Sequence, residues 1–126
     1  MKVYEGRFTP FTETDYLAAG FSPKRARELS QASEPVRVRG RINARDGDRR
    51  YELTHWTKER RDDVFWGYRG AGTRAAAQLI ADDLDVREVD RGFLPDAVYE
   101  LLLTCKREHN FDLAESEIWA GLNATD

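Results

Sequence analysis

The sequence predicts a single α+β domain over residues 1–126, built as a small antiparallel sheet with helices packed on one side. Strand patterns, with apolar residues at alternate positions, occur in the first half of the chain, and helical apolar spacing dominates the second half. The length of 126 residues fits one domain, and 40% hydrophobic residues can form a core without disulfides or metals.

One strand and two short helices are predicted at the N-terminus. The short segment from Val3 to Phe8 contains β-branched and aromatic residues and is followed by Thr9-Pro10, where proline ends a strand because it lacks a backbone donor. Over residues 11–31, Thr12 begins a first helix with a capping box, Gly20 provides a turn, and Ser22 begins a second helix. We interpret this segment as a helical-hairpin insertion.

A β-hairpin and a third strand are predicted next. Pro35 to Ile42 alternate apolar side chains with arginines, Asp46-Gly47 is a hairpin turn signal, and residues 51–55 form the return strand. Residues 57–63 are polar and indicate an exposed loop, after which Val64 to Tyr68 again have strand composition.

Three helices are predicted in the remaining chain. The first begins after Gly70 and ends in acidic residues near Leu84, which are unfavourable at a helix C-terminus. The second covers Leu94 to Cys105, where apolar residues recur at three- and four-residue spacing. The last opens with residues 111–115, interpreted as an N-cap followed by its acidic N3 residue.

Charge is divided unevenly along the chain. Residues 1–61 carry 14 basic and 9 acidic side chains, a net charge of +5, whereas residues 62–126 carry 6 basic and 14 acidic ones, a net charge of −8. The halves can attract each other within the fold or form two surfaces for charged partners. A pI of 5.5 argues against a dedicated nucleic-acid-binding domain, which is usually strongly basic.

The cellular compartment is predicted from the N-terminus, the aliphatic runs and the single cysteine. The N-terminus lacks the apolar region of a signal peptide, and the longest aliphatic run, Leu101 to Leu103, is too short to span a bilayer. The one cysteine, Cys105, cannot form an intramolecular disulfide, as is usual in a reducing compartment. We expect a cytoplasmic protein that does not bind membranes.

The segment from Val64 to Asp82 resembles a known signature, FxWGYGGSGPAQLA, of an uncharacterised family of small phage, plasmid and bacterial proteins. The matching residues are Trp66, Gly67, Tyr68, Gly70 and Gly72. Arg69, Thr73 and Ala75 replace the glycine, proline and glutamine of the signature. The first strand and the final helix extend the similarity over most of the chain. The resemblance implies a fold and a mobile-element origin, but it implies no reaction.

The glycine-rich turn from Gly67 to Thr73 is a candidate anion-binding site. Backbone N–H groups at a helix N-terminus attract anions, and Arg69 and Arg74 flank the turn, next to Trp66 and Tyr68. The spacing fits neither a P-loop nor a dinucleotide-binding fingerprint. A tight strand-to-helix turn is the alternative interpretation.

Basic side chains provide two more candidate binding surfaces. The residues are Lys24, Arg25, Arg27, Arg37, Arg39 and Arg41. The first three would project from a recognition helix of a helix-turn-helix, or from an ordinary helical hairpin packed on the sheet. The last three form a basic strand face suited to phosphates or to an acidic protein. Intramolecular pairing with Glu52 or with Asp82 and Asp83 is the alternative.

Catalytic and metal-binding groups are not predicted. His55 and His109 lie far apart in sequence, and Cys105 lies on an apolar helix face as a core thiol. The acidic run of Asp82, Asp83, Asp85 and Glu88 is interpreted as a solvated face rather than a cation site. We therefore expect no enzyme activity, cofactor or metal.

The leading functional hypothesis is a non-enzymatic interaction protein, encoded by a phage or mobile element, that binds a host protein or nucleoprotein. Inhibition of a host defence protein would fit its size and charge. The alternative is a DNA-binding accessory or regulatory protein that uses the helix-turn-helix-like segment and the arginine-rich hairpin. An enzyme acting at the Gly67–Thr73 turn ranks third. The partner's identity and the oligomeric state are left open.

Overall fold

The computed structural model describes residues 2–34, 37–84, 92–107 and 109–124. Within them, four antiparallel strands form a sheet in the order β3-β2-β1-β4. The strands are β1 (Lys2–Pro10), β2 (Val38–Asp46), β3 (Arg49–Glu52) and β4 (Phe111–Ala114), and the helices are α1 (Glu13–Ala18), α2 (Pro23–Ser30), α3 (Ala71–Asp83), α4 (Leu94–Thr104) and α5 (Glu115–Ala124). The predicted α+β class is confirmed.

The sheet has one apolar and one charged face. On β1 and β2, Tyr4 pairs in register with Ala44 and Gly6 with Ile42, and all four residues are buried. Because successive side chains of a strand point to opposite faces, the intervening positions, such as Glu5, lie on the other face. Helices α3, α4 and α5 cover the apolar face, and each contributes a fully buried side chain to the core: Ile80, Leu102 and Ile118.

The predicted helical hairpin is confirmed over α1 and α2. The Thr12 hydroxyl accepts a hydrogen bond from the Asp15 backbone N–H, and the Asp15 carboxylate accepts one from the Thr12 backbone N–H. Ser22 caps α2, and Gly20 has a φ of +100° in the intervening turn. This capping geometry is local, so the sequence motifs were sufficient to predict it.

The helical hairpin has a small hydrophobic cluster of its own. Phe11, Tyr16 and Ala26 are its buried members, and Trp56 packs against them. Through Asp15, α1 contacts Arg39 and Arg41 on the charged face of the sheet. The predicted packing on one side of the sheet therefore describes α3–α5, while α1 reaches the other face.

The predicted β-hairpin is confirmed, with different strand limits. β2 continues to Asp46, the turn contains Gly47 with a φ of +62°, and β3 ends at Glu52. Pro35 and Val36, predicted to begin the second strand, lie outside the described residues.

The prediction of a strand over Val64–Tyr68 is wrong. Val64 and Trp66 are buried, but the backbone of this segment makes no ladder. The Phe65 N–H donates to the Gly72 carbonyl, and the Gly67 N–H donates to the Leu102 carbonyl. These partners lie in α3 and α4. The apolar composition of the segment therefore reflects its burial against these helices and not pairing in the sheet.

The prediction of an N-cap within residues 111–115 is also wrong. Phe111 to Ala114 form β4, whose residues pair with Val3 to Gly6 of β1, and α5 begins at Glu115. Phe111 and Leu113 are buried while Asp112 between them is exposed. This alternation is typical of a strand, and the segment forms one because β1 lies beside it and provides the hydrogen-bond partners.

Candidate functional site

Arg39 and Arg41 on β2 do not form the exposed basic face that the sequence predicted. The Arg39 side chain is 6% exposed and lies 3.3 Å from a carboxylate oxygen of Asp15, whose side chain is 5% exposed. Arg41 lies 3.2 Å from the other Asp15 oxygen and 3.5 Å from Glu52. The expectation of an exposed cationic face is therefore wrong for Arg39, and the alternative of intramolecular pairing with Glu52 holds, with Asp15 as an additional partner.

Burial leaves Arg39 in an unusual electrostatic position. Its Nε and Nη1 atoms are buried and have no hydrogen bond among the described residues, although Asp15 and Glu52 lie within ion-pair distance. Burial, together with the nearby charge of Arg41, lowers the pKa of the Arg39 guanidinium. Its guanidinium also lies 5.2 Å from the centre of the Trp56 ring. Arg39 thus links Asp15 of α1 and Trp56 to the sheet.

A shallow polar cleft of about 450 Å³ adjoins this cluster. Two arginines and two carboxylates line it, together with Thr54 and His55. Because Arg39 and Arg41 face Asp15 and Glu52, the charged groups in the cleft sum to zero. This balance disfavours the phosphate binding that the strand pattern suggested.

A second charge cluster lies on the same face of the sheet. Glu5 is buried and lies 3.2 Å from Arg50 and 3.4 Å from Arg7, and Arg7 lies 2.8 Å from Asp112. The Arg7 guanidinium also donates to the Phe111 carbonyl. These contacts link β4, β1 and β3, so the basic side chains here are also partly neutralised within the chain.

The basic side chains of the helical hairpin are exposed, but two of the three are paired. Arg25 lies 3.3 Å from Glu28, and Arg27 lies 3.8 Å from Glu13. Lys24 is exposed on the same helix. Arg37 is exposed and lies over the ring of Phe21, at 5.4 Å.

The glycine-rich turn is tied to the end of α4. Trp66 is fully buried, and its indole N–H donates to the His109 carbonyl at 2.7 Å. Gly67 has a φ of +82°, and a Cβ there would lie 2.6 Å from both the Cys105 carbonyl oxygen and the Arg107 nitrogen. The structure therefore requires glycine at this position for close packing and for its left-handed backbone.

The flanking side chains of this turn are spread apart. The Thr73 hydroxyl donates to the Tyr68 carbonyl, and the Arg107 guanidinium lies over the Tyr68 ring. Arg74 lies 2.7 Å from Asp96 and packs over Tyr99 on α4, while Arg69 is exposed. Of the two arginines predicted to flank an anion, one is therefore already paired with a carboxylate.

The acidic end of α3 has a specific set of partners. Asp83 accepts hydrogen bonds from the hydroxyl groups of Tyr4 and Tyr51, each at 2.8 Å, and from the Lys2 ammonium at 3.2 Å. Burial and the hydrogen bond to Asp83 raise the pKa of both tyrosines. These contacts with the sheet compensate for an acid at a helix C-terminus, which is unfavourable in isolation.

Histidine, cysteine and acidic candidates are dispersed. His55 and His109 are exposed, and Cys105 is half-buried, with burial followed by the charge of Glu117 raising the pKa of its thiol. In the described part of the chain, no three His, Cys, Asp or Glu side chains are placed to hold a metal ion. Asp85 and Glu88 of the acidic run lie outside that part.

An apolar groove between α4 and α5 was missed at the sequence level. It has a volume of about 420 Å³ and is lined by Phe93, Asp96, Ala97, Glu100, Leu101, Thr104 and Gly121. Phe93 is 67% exposed, more than either of the other large exposed hydrophobic residues of the described chain. A glycine inside a helix and an aromatic residue just before a helix were the available signals, but neither shows which helices become neighbours.

The groove has an ordered arrangement along α4. Phe93, Ala97 and Leu101 follow one another at four-residue spacing and form an apolar row. Asp96 and Glu100 form the adjacent row, which is acidic. The two rows together extend about 16 Å along the helix axis, from Phe93 to Thr104, at 1.5 Å per residue.

Searches against family models, curated proteins and solved structures find no match. The resemblance of the Trp66–Gly72 turn to the phage, plasmid and bacterial family stays a prediction. No helix within the described residues combines the length and apolarity that crossing a membrane requires. We therefore infer function from the contacts of this chain.

Proposed function

We propose that this protein acts by binding another protein, without catalysing a reaction, and that the groove between α4 and α5 is its contact surface. The observation that carries the proposal is Phe93, whose large aromatic side chain is 67% exposed at an apolar groove. Exposed aromatic residues beside an apolar cleft are typical of protein contact sites, because burying them on binding contributes most of the affinity.

The second support is Gly121, which lies within α5. A Cβ added there would meet its nearest atom, Cδ1 of Leu101, at 3.5 Å, which is an ordinary contact. Packing within the chain therefore does not require glycine, although glycine inside a helix costs about 0.5–1 kcal/mol relative to alanine. Its effect is to keep the groove open, as a binding surface requires.

The alternative, DNA binding by the helical hairpin and the arginine-rich β-hairpin, has weaker support. Arg39 and Arg41 are paired with Asp15 and Glu52, and Arg39 is buried. A phosphate contact by either arginine would have to compete with these carboxylates. A host protein as partner, a mobile-element origin and a cytoplasmic location complete the proposal.

The test is selection of binding peptides from a random library, using the protein and its Gly121→Leu variant in parallel. Because a Cβ at position 121 would make only an ordinary contact with Leu101, and leucine favours a helix more than glycine does, we expect this variant to fold and its side chain to fill the groove. We expect peptides that bind the protein and lose at least tenfold in affinity for the variant. Recovery of no peptide that distinguishes the two would refute the proposal.

A DNA titration separates the two functions. Salt-sensitive binding of short duplex DNA, abolished by Lys24→Glu and Arg37→Glu together, would instead support the DNA-binding alternative. These two side chains are exposed, so their replacement leaves the core intact. Arg39→Glu is unsuitable for this purpose, because it would place two buried negative charges side by side.

A further inference from the structure

We propose that the occupant of the groove is a basic amphipathic helix of the partner protein. This inference rests on the proposed function and specifies the chemistry of the partner. Its grounds are the shape of the groove, the charge of its rim and the pairing state of the two rim carboxylates.

The shape of the groove favours a helix. Its lining residues on α4 span Phe93 to Thr104, three turns of one helix face, and Gly121 of α5 forms the opposite wall. Two neighbouring helices with a lengthwise groove accept a third helix along them, whose side chains at four-residue spacing fill the gaps. The small side chain of Ala97 and the missing one of Gly121 leave room at the centre, between the larger Phe93 and Leu101.

The charge of the rim selects a basic partner. The charged side chains that line the groove, Asp96 and Glu100, are both acidic. The basic side chain nearest to them in a described contact is Arg74 of α3, which lies against Asp96. A helix bound in the groove would contact the apolar row of α4 and would lie beside its acidic row. Lysine or arginine side chains on the bound helix would then lie opposite Asp96 and Glu100.

The two acidic rim residues differ in availability. Asp96 is 2.7 Å from Arg74, so its charge is partly neutralised. Glu100 is exposed and its carboxylate has no partner shown among the described residues. Glu100 is therefore the residue whose replacement most weakens recognition of a basic helix.

Two libraries of short amphipathic helical peptides test the inference. Both have the same randomised apolar row, and they differ only in the adjacent row, which is Lys and Arg in one library and Glu in the other. Affinities of the best peptides are measured by fluorescence anisotropy at low and high salt. We expect the basic peptides to bind about tenfold more tightly at low salt, with the difference reduced at high salt because the charges are exposed.

Matched variants assign the effect to the rim. Glu100→Gln should reduce the preference for basic peptides severalfold, whereas Glu28→Gln on α2, an exposed acid of the same type, should leave it unchanged. Equal binding of the acidic peptides, or a preference unaffected by Glu100→Gln, would overturn the basic-helix inference while the proposed function stands. If neither library yields a peptide sensitive to Gly121→Leu, the proposed function itself fails.

Self-association is the remaining outcome, because a second copy of this chain could cover Phe93. Sedimentation of the protein and of Phe93→Ser distinguishes it. We expect both to be monomers at micromolar concentration. A dimer that dissociates in the Phe93→Ser variant would overturn the inference and identify the groove as a self-contact.

Discussion

Replacing Asp15 by asparagine should destabilise the protein strongly. Asp15 is the acid closest to both Arg39 and Arg41, and its side chain is 5% exposed. Asparagine keeps an oxygen for the Thr12 N–H but removes the negative charge. Arg39 would then retain only Glu52, at 3.9 Å, and would lie buried beside the positive charge of Arg41.

The magnitude follows from the burial of both partners. Removing one member of a buried ion pair costs about 3–5 kcal/mol, because the other charge stays desolvated without compensation. Since Glu52 remains near Arg39, we expect a loss of about 3 kcal/mol. With a urea m value of about 1–3 kcal/mol/M, the midpoint of unfolding should fall by at least about 1 M.

Urea unfolding followed by tryptophan fluorescence measures this loss. Glu28→Gln is the control, because its pair with Arg25 is about half exposed and should contribute less than about 1 kcal/mol. The double variant Asp15→Asn, Arg39→Met should recover much of the lost stability, because apolar replacement of a buried ion pair is often neutral. A cost below about 1 kcal/mol for Asp15→Asn, or a double variant no more stable than the single one, would refute the reasoning.

Two further predictions concern the sheet and the turn. The pKa values of Tyr4 and Tyr51 are raised in the folded state, so the contribution of these two tyrosines to stability should be constant below about pH 10, the pKa of an unfolded tyrosine, and should fall above it. Denaturant unfolding above about pH 10 should show a less steep decline for Tyr51→Phe than for the unchanged protein, and an identical decline would contradict the Asp83 network. Gly67→Ala should lower the free energy of unfolding by at least about 2 kcal/mol, because of its φ of +82° and its close backbone neighbours. Gly47→Ala, with a φ of +62° and open space around it, should lower it by about 1 kcal/mol in the same thermal or urea unfolding. Equal losses would show that crowding at Gly67 contributes nothing.

The helix caps and the β-hairpin turn could be predicted because the information is local. Thr12 and Ser22 each bond to a backbone N–H three residues away, and Gly47 provides the backbone conformation of a tight turn. Such interactions depend on a few neighbouring residues, so a short stretch of sequence contains them fully.

The strand wrongly predicted at Val64–Tyr68 and the strand missed at Phe111–Ala114 were both decided by distant neighbours. In both segments, buried residues alternate with less buried ones. Only the second segment lies next to β1, and only it forms a ladder. Composition records that a segment is buried, whereas the availability of an unpaired strand edge is a property of the assembled sheet.

The sequence by itself determined the fold class, the helical hairpin and the presence of many charges in the first half of the chain. Tertiary structure alone decided which charges are exposed and which surfaces are apolar. Asp15 lies far from Arg39 in sequence and neutralises it only after α1 packs on the sheet, and Gly121 forms a groove with Phe93 only after α5 lies beside α4. Burial and neutralisation depend on the distance between side chains in space, and for residues far apart in sequence that distance is set by folding.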